Sequence, residues 1–281
     1  MDANADQIDF WNDAAGRKWV RLQELIDRQL ADLGRIVIER AAPAPGERVL
    51  DIGCGCGASS LELATRVDPE GSVLGVDISE PMLARARERT QQAGLDNLSF
   101  QCGDAQVASF QPDAFDLLHS RFGIMFFEDP PAAFTNMRRA LAPKGRVTFV
   151  CWQPLSENPW MRIPMAAALP HLDPPPIPAP GAPGPFALGD DARVWQILDE
   201  AGFRDIEIES HERTLTVGGD ENLERTVDFI LEMGPTGAAL RDAEVALVER
   251  VRADVIDAVA PYHGEAGLCM ESRSWIASAR A

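Results

Sequence analysis

The residues with the clearest chemical meaning form the stretch Asp51-Ile52-Gly53-Cys54-Gly55-Cys56-Gly57, between an apolar run and an amphipathic segment. This order predicts a strand, a tight turn and a helix. Glycines allow a sharp turn and let backbone N–H groups approach a ligand, because no Cβ intervenes. The positive end of the following helix would face the same point. The stretch therefore predicts a small-molecule site at the end of a strand.

Two kinds of ligand fit this turn. The spacing Gly53-x-Gly55-x-x-Ala58 also occurs in dinucleotide sites, where a diphosphate lies against the helix. Asp51 favours the other kind, since a carboxylate beside the turn opposes a diphosphate and attracts a sulfonium or ammonium group. An oxidoreductase that uses a dinucleotide is further disfavoured because no residue for hydride transfer is evident.

Two more acids follow the next two predicted strands. Asp77 ends the second strand, where a carboxylate can accept hydrogen bonds from both hydroxyls of a ribose. Its alternative role is a helix N-cap, since Ser79-Glu80-Pro81 opens a helix. In Gly103-Asp104-Ala105 the acid can accept from an adenine amino group, and the small alanine leaves room for the ring. Met82 would supply an apolar wall for the adenine.

These motifs carry a resemblance to a known family. Asp51-x-Gly53-x-Gly55-x-Gly57 resembles the first motif of class I S-adenosylmethionine-dependent methyltransferases, and Gly103-Asp104-Ala105 resembles their adenine-end motif. By motif, the resemblance covers about residues 45–152, up to a turn at Pro143-Lys144-Gly145. It implies S-adenosylmethionine as the cofactor. The residues expected to bind it are Asp51, Gly53, Gly55, Asp77, Ile78, Met82, Gly103, Asp104, Ala105, Ser120 and Arg121.

The fourth predicted strand ends in His119-Ser120-Arg121, at the edge where the methyl group would meet its acceptor. Methyl transfer from a sulfonium requires alignment in a dry site, and a general base only when the acceptor must lose a proton early. His119 is the candidate for that base; a hydrogen-bonded histidine buried in the sheet is the alternative. Arg121 would bind the methionine carboxylate or an acidic acceptor, unless it forms a surface ion pair.

Aromatic side chains are concentrated near the same edge. They predict an acceptor with an apolar or aromatic body, although such side chains equally suit a protein core. Phe122-Gly123 and the run Phe126-Phe127-Glu128-Asp129 are similar to the ubiquinone/menaquinone C-methyltransferase branch. The residues expected to bind the acceptor are Trp19, Phe122, Phe126, Trp152 and Trp160.

Two functions of different classes fit these features. The first is in-line methyl transfer to a small, partly apolar or aromatic acceptor. The second is a non-catalytic module that binds S-adenosylmethionine for sensing or scaffolding. The full set of cofactor positions beside an aromatic mouth favours the enzyme.

The elements that must position these residues alternate between strand and helix from residue 48 to residue 152. This alternation predicts five parallel strands in a Rossmann-like, doubly wound α/β sheet. Later strands at 203–209 and 273–279 would complete a seven-stranded sheet with an antiparallel last strand. Further helices are predicted over 160–169, from Asp190 or Asp191 to 201, and over 220–233 and 237–260.

We expect an N-terminal helical lid at residues 1–44 and a methyltransferase domain at residues 45–281. Two insertions in that domain, 153–189 and 212–271, would form a helical substrate cap. The lid would close over the cofactor through Phe10 and Trp11; packing of these aromatics on the body of the fold is the alternative. Eight prolines between Pro170 and Pro185 predict a stiff, extended connector.

Composition limits the partners. The 281 residues carry a formal net charge of −18, which would repel a nucleic acid. A base-methylating motif is also missing, because Asp129-Pro130-Pro131-Ala132 lies too late and lacks its aromatic residue. We therefore expect a small-molecule acceptor; the sequence leaves the oligomeric state open.

The five cysteines form no Cys-x-x-Cys pair, and they predict reduced thiols in a cytoplasmic protein. A metal site at Cys54 and Cys56 is the alternative, but its spacing is unsuitable and the turn needs that backbone, so no metal is expected. The acidic start lacks the apolar segment of a signal peptide, and no run approaches the ~18 apolar residues of a membrane span.

Overall fold

The computed structural model describes residues 3–172, 179, 181–219 and 222–281. Its helices are α1 (Ala5–Asn12), α2 (Ala14–Arg21), α3 (Gln23–Ala41), α4 (Ala58–Arg66), α5 (Glu80–Ala93), α6 (Pro130–Ala140), α7 (Pro159–Ala168), α8 (Asp191–Glu200), α9 (Leu223–Glu232), α10 (Gly234–Ala239) and α11 (Val245–Val259). Its strands are β1 (Arg48–Ile52), β2 (Ser72–Asp77), β3 (Leu98–Cys102), β4 (Phe115–Arg121), β5 (Leu141–Trp152), β6 (Arg204–Thr216), β7 (His263–Gly264) and β8 (Gly267–Arg280).

The main strands form one sheet in the order β3-β2-β1-β4-β5-β8-β6, and the short β7 pairs with β8. Strands β1 to β5 are parallel, whereas β8 runs antiparallel to both β5 and β6. The predicted Rossmann-like sheet with an antiparallel last strand is therefore confirmed. The strand order reverses between β1 and β4, which opens a crevice at their carboxyl ends.

Local signals explain the helix ends. Helix α5 begins after Ser79 and ends at Gly94, whose φ of +64° is the left-handed conformation that glycine adopts readily. The Asp129 side chain accepts a hydrogen bond from the Ala132 amide at the start of α6, as its position before two prolines predicts.

Residues 237–260, predicted as one helix, form α10 and α11 instead. Glu244 is extended, with ψ of 146°, and Arg241 places its guanidinium carbon 4.8 Å from the centre of the Phe10 ring. This cation–π contact with α1 favours leaving the helical path. The predicted turn Pro143-Lys144-Gly145 also differs: it lies inside β5, where the pairing with β4 shifts register.

Strands β6 and β8 are longer than predicted. They pair from Arg204–Arg280 to Thr216–Cys269, whereas β5 reaches only as far as Ser274 of β8. Beyond that point residues 212–216 and 269–273 continue as a two-stranded arm. The arm leads into the segment 217–266, which holds α9, α10 and α11.

One large hydrophobic core joins the sheet to this segment. It contains Phe149 of β5, Val217 after the arm, Val227 of α9 and Val255 of α11, all fully buried. Helix α3 packs on one face of the sheet against β4, β5 and β8. Residues 173–178 and 180, which hold five of the eight prolines of the predicted connector, lie outside the described part of the chain.

No helix in the described ranges is both long and apolar enough to cross a membrane.

Candidate functional site

The glycine turn joins β1 to α4 at the crevice. Gly53, Gly55 and Gly57 have φ of +62°, +54° and +80°, a conformation that favours glycine. A Cβ on Gly53 would lie 2.5 Å from Cα of Gly123, so the chain after β1 touches the chain after β4. A Cβ on Gly55 would meet only Met82 Sδ, at 3.9 Å. This side of the turn therefore has room for a ligand.

Asp51 is fully buried, and its carboxylate has three partners. The hydroxyls of Ser59 and Ser60 donate to Oδ2 over 2.9 and 2.6 Å. Nδ1 of His119 lies 2.8 Å from Oδ1, because β1 and β4 place the two residues side by side. Asp51 thus ties α4 and β4 to β1, and its direct contact with a ligand stays a prediction.

His119 is equally buried. Its second ring nitrogen, Nε2, has no hydrogen-bond partner within the described residues. The ring has no exposed surface and is hydrogen-bonded to a buried carboxylate within the sheet. This is the environment expected for a structural histidine rather than for a general base. A role as general base is not tested by this arrangement and stays a prediction.

Asp77 ends β2 and is 8% exposed. Its Oδ2 accepts from the Gly55 amide over 2.8 Å, and its Oδ1 accepts from the Ser79 amide over 2.9 Å. Burial raises the pKa of this carboxyl to about 6, against the opposing effect of the two N–H donors. Each oxygen can accept a further hydrogen bond. Asp77 therefore holds the glycine turn against α5 and can still accept from a diol.

Asp104 follows β3, and its Oδ1 accepts from the Gln106 amide over 2.9 Å. Two apolar side chains of the predicted adenine site are buried: Ala105, which follows Asp104, and Met82 in the first turn of α5. A Cβ on Gly103 would meet only a Gln101 side-chain atom, at 3.8 Å. Acceptors on two strand tips, with apolar neighbours and open glycines, suit the hydroxyl and amino donors of an adenosine.

The end of β4 is held in a different way. The Arg121 guanidinium forms an ion pair of 3.1 Å with Asp27 of α3, which also pairs with Arg89 over 3.1 Å. The Ser120 hydroxyl donates to the Ile52 carbonyl over 2.7 Å and is fully buried. The arginine is thus mostly buried rather than on the surface. Two guanidiniums around one carboxylate leave a net positive charge beneath the glycine turn.

Two aromatic groups lie beside the crevice. In the first, Phe122 stacks on Trp152 with ring centres 4.1 Å apart, and Trp160 lies 5.3 Å from Trp152. In the second, Trp11 makes edge contacts with Trp19 at 5.6 Å and with Phe126 at 5.4 Å. The structure therefore brings the predicted acceptor residues into two clusters, the second of which depends on Trp11.

The N-terminal segment makes contacts beside the site that the sequence did not predict. Asn4 donates to Asp104 Oδ2 over 2.9 Å, and Asn12 donates to the Ile78 carbonyl over 2.8 Å. The Trp11 carbonyl accepts from the Ser79 hydroxyl over 2.7 Å. Trp11 was noted only as an aromatic anchor, and a lone asparagine in an acidic start carries no signal. These contacts place α1 across the tips of β2 and β3.

Three of the five buried polar atoms without a hydrogen-bond partner among the described residues are Trp160 Nε1, Ser274 Oγ and His211 Nε2. Ser274 lies opposite Trp152 in β5 and opposite His211 in β6. Residues opposite each other in antiparallel strands project to the same face. Burial, followed by the charge of Arg213, lowers the pKa of His211. The first aromatic cluster thus has unused hydrogen-bonding groups around it.

The cysteines of the glycine turn are buried thiols. Burial raises the pKa of Cys54 and raises that of Cys56 to about 12, so both stay protonated at neutral pH. No group of three or more His, Cys, Asp or Glu side chains in the described ranges is arranged to hold a metal ion.

Comparisons with known proteins agree with this geometry. A family model described as a methyltransferase domain matches residues 43–166. Aklanonic acid methyltransferase of Streptomyces sp. (strain C5) is 36% identical over 117 residues, 42% of this chain and 53% of that protein. Demethylmenaquinone methyltransferase of Staphylococcus aureus is 32% identical over 146 residues, 52% of this chain and 60% of that protein. The chain thus spans between 53% and 60% of the length of these two relatives.

A solved structure shares the fold. Phosphoethanolamine N-methyltransferase 2 of Haemonchus contortus in complex with S-adenosyl-L-methionine has a TM-score of 0.59 at 20% identity, covering 96% of this chain and 59% of that one. The dinucleotide alternative finds no support among these proteins. The motifs and the sheet order agree with this match, and together they indicate a methyltransferase domain over residues 43–166 of this chain.

Proposed function

We propose that this chain transfers the methyl group of S-adenosylmethionine to a small aromatic acceptor that bears an oxygen substituent. The observation that carries the proposal is the link between the two halves of the site through Trp11. Its carbonyl bonds Ser79 beside the cofactor carboxylates, and its ring contacts the aromatic residues Trp19 and Phe126. An acceptor held by these rings would lie next to the cofactor.

The cofactor roles follow from the strand tips. Asp77 would accept from the ribose hydroxyls and Asp104 from the adenine amino group, with Met82 against the ring. Arg121 would contribute its positive charge to the methionine carboxylate while keeping its ion pair with Asp27.

From the rings of the second aromatic cluster the acceptor would extend to the stacked pair Phe122–Trp152. Its oxygen would use the free donors Trp160 Nε1 and Ser274 Oγ, since buried polar atoms without partners are costly unless a ligand or water satisfies them. His211 is kept neutral by its lowered pKa and could accept a proton from a hydroxyl. The relatives named after aklanonic acid and demethylmenaquinone support an acceptor of this kind.

When bound, S-adenosylmethionine supplies an electrophilic methyl group on a sulfonium. The chain's own contribution is to align the acceptor and to exclude water. We assign exclusion of water to residues 1–44 as a lid and to the segment between β6 and β8 as a cap. His119 acts through Asp51, which it helps to hold in place, as a positioning residue.

Calorimetry followed by a transfer assay tests the proposal. S-adenosylhomocysteine should bind and NAD should not, and Asp77→Ala should weaken that binding by about 2–4 kcal/mol. Labelled methyl from S-adenosylmethionine should then reach aklanonic acid or reduced demethylmenaquinone.

Each failure has a separate meaning. Lack of S-adenosylhomocysteine binding would refute the cofactor assignment. Binding without transfer to any compound of a cell extract would leave a sensing or scaffolding module. Transfer to phosphoethanolamine but not to the aromatic compounds would refute the acceptor class.

A further inference from the structure

Asn4, near the start of the described part of the proposed lid, bonds to the predicted adenine acceptor Asp104. Asn4 is 5% exposed, and its side-chain amide nitrogen donates to Asp104 Oδ2 over 2.9 Å and to Gln106 Oε1 over 3.1 Å. Asp104 Oδ1 accepts from the Gln106 backbone amide, and an amino group that approaches Oδ2 would meet the Asn4 side chain there.

The other end of the amide is equally engaged. Asn4 Oδ1 accepts from the Glu128 amide over 2.6 Å, and the Asn4 backbone N–H donates to a Glu128 carboxylate oxygen over 3.1 Å. The side chain therefore presents an NH₂ donor beside a carbonyl acceptor to two fixed partners. Adenine presents the same pair on its Watson–Crick edge, an amino donor beside a ring-nitrogen acceptor.

We propose that Asn4 is an intramolecular surrogate for the adenine edge, which holds the lid closed on Asp104 until the cofactor displaces it. This inference rests on the proposed function, because it takes Asp104 as the adenine acceptor. The Asn4 side-chain nitrogen and the adenine amino nitrogen cannot both donate to Asp104 Oδ2 from the same direction. Arrival of the cofactor is therefore coupled to release of the N-terminal end of the lid.

A second contact of the lid lies away from Asp104. Asn12 donates to the Ile78 carbonyl and accepts from the Glu80 amide over 3.0 Å. It bonds the backbone between β2 and α5 and takes no atom of the adenine acceptor. This contact can hold α1 while Asn4 is displaced, and it offers a matched control.

The test is the affinity of Asn4→Ala for S-adenosylhomocysteine and for adenosine, measured by calorimetry. When a closed state that competes with the ligand is removed, the apparent dissociation constant falls to its former value multiplied by the fraction of molecules that was open. We expect binding about tenfold tighter for both ligands, from the loss of hydrogen bonds of ordinary strength. Asn4→Asp should also bind more tightly, because a second carboxylate is repelled by Asp104.

The matched variant Asn12→Ala should change both affinities much less. An equal gain in Asn12→Ala would assign the effect to a looser lid in general and refute the surrogate. Unchanged or weaker binding by Asn4→Ala, with the wild type binding normally, would refute it as well. If neither the wild type nor either variant binds S-adenosylhomocysteine, the proposed function fails instead. Circular dichroism and a melting curve show that each variant is folded.

Discussion

The two halves of the site are built in different ways. The proposed cofactor half consists of the glycine turn with Asp77 and Asp104, whose carboxylates are fixed by neighbouring backbone amides. The proposed acceptor half consists of the two aromatic clusters with Ser274 and His211, whose side chains come from elements far apart in the chain. One half is shaped by the backbone and the other by side chains. Substitutions should therefore act on them differently.

The largest effect is expected at Gly53, where the backbone after β1 packs directly against the backbone after β4. Gly53→Ala would place a Cβ 2.5 Å from Cα of Gly123 in a left-handed conformation, at a cost of about 3 kcal/mol or more in the free energy of unfolding. Cofactor binding should be lost with it. Chemical denaturation and calorimetry measure the two effects.

Gly94→Ala is the matched control, because Gly94 has φ of +64° with nothing within 4 Å of its Cβ position. It should cost only about 1 kcal/mol, the ordinary penalty of this conformation. Equal losses in the two variants would show that the contact with Gly123 has no importance.

The next effect concerns the histidine in the cofactor half. His119→Ala would leave the Asp51 carboxylate buried with two serine donors, and should lower the free energy of unfolding by about 2–3 kcal/mol. Turnover per folded molecule should stay within a few-fold. His119→Gln, which keeps a donor for Asp51, should recover part of the stability. A loss of turnover near ~10³ with normal stability would instead make His119 the general base.

In the acceptor half the effects should be smaller and confined to the acceptor. Trp160→Phe removes the indole N–H and should lower kcat/KM for an oxygen-bearing aromatic acceptor by about tenfold, without changing affinity for S-adenosylhomocysteine. Trp195→Phe, on the half-exposed Trp195 of α8, should change neither. An unchanged kcat/KM with a higher melting temperature would mean that Trp160 Nε1 only carried the cost of an unsatisfied buried donor.

The smallest effect is a dependence on pH. The folded pKa of Asp77, about 6, lies above its ordinary value of 3.8, so the folded protein binds the extra proton between these values. The free energy of unfolding should therefore fall as the pH rises through this window. Affinity for S-adenosylhomocysteine should rise towards neutral pH, because the ionised carboxylate is the better acceptor. Calorimetry from pH 5 to pH 8 checks this; Asp77→Asn should show no such rise.

The cofactor half was more predictable from sequence than the acceptor half. The bounds of β1 and α5 follow from local signals, namely an apolar run ending in glycine and a helix between Ser79 and Gly94. The break between α10 and α11 was missed because no local pattern contains the contact of Arg241 with Phe10 that accompanies it.

The same limit applies to polar contacts. The three acids were identified from their positions at or just beyond the ends of strands, but the partners of Asp51 were not, since His119 meets it only through the pairing of β1 with β4. Asn4 reaches Asp104 across 100 residues of sequence. Such contacts depend on the assembled sheet rather than on spacing along the chain.

The two-stranded arm indicates from which side small molecules should reach the proposed site. Its ladder of antiparallel backbone bonds extends from the sheet without interruption, and α9 and α11 share the core of that sheet. We therefore expect the side of the site formed by the arm to move only together with the whole sheet. Helix α1 is held by a few side-chain hydrogen bonds and ring contacts, which are easily exchanged. Small molecules should enter and leave beneath α1, where the fewest contacts have to be broken.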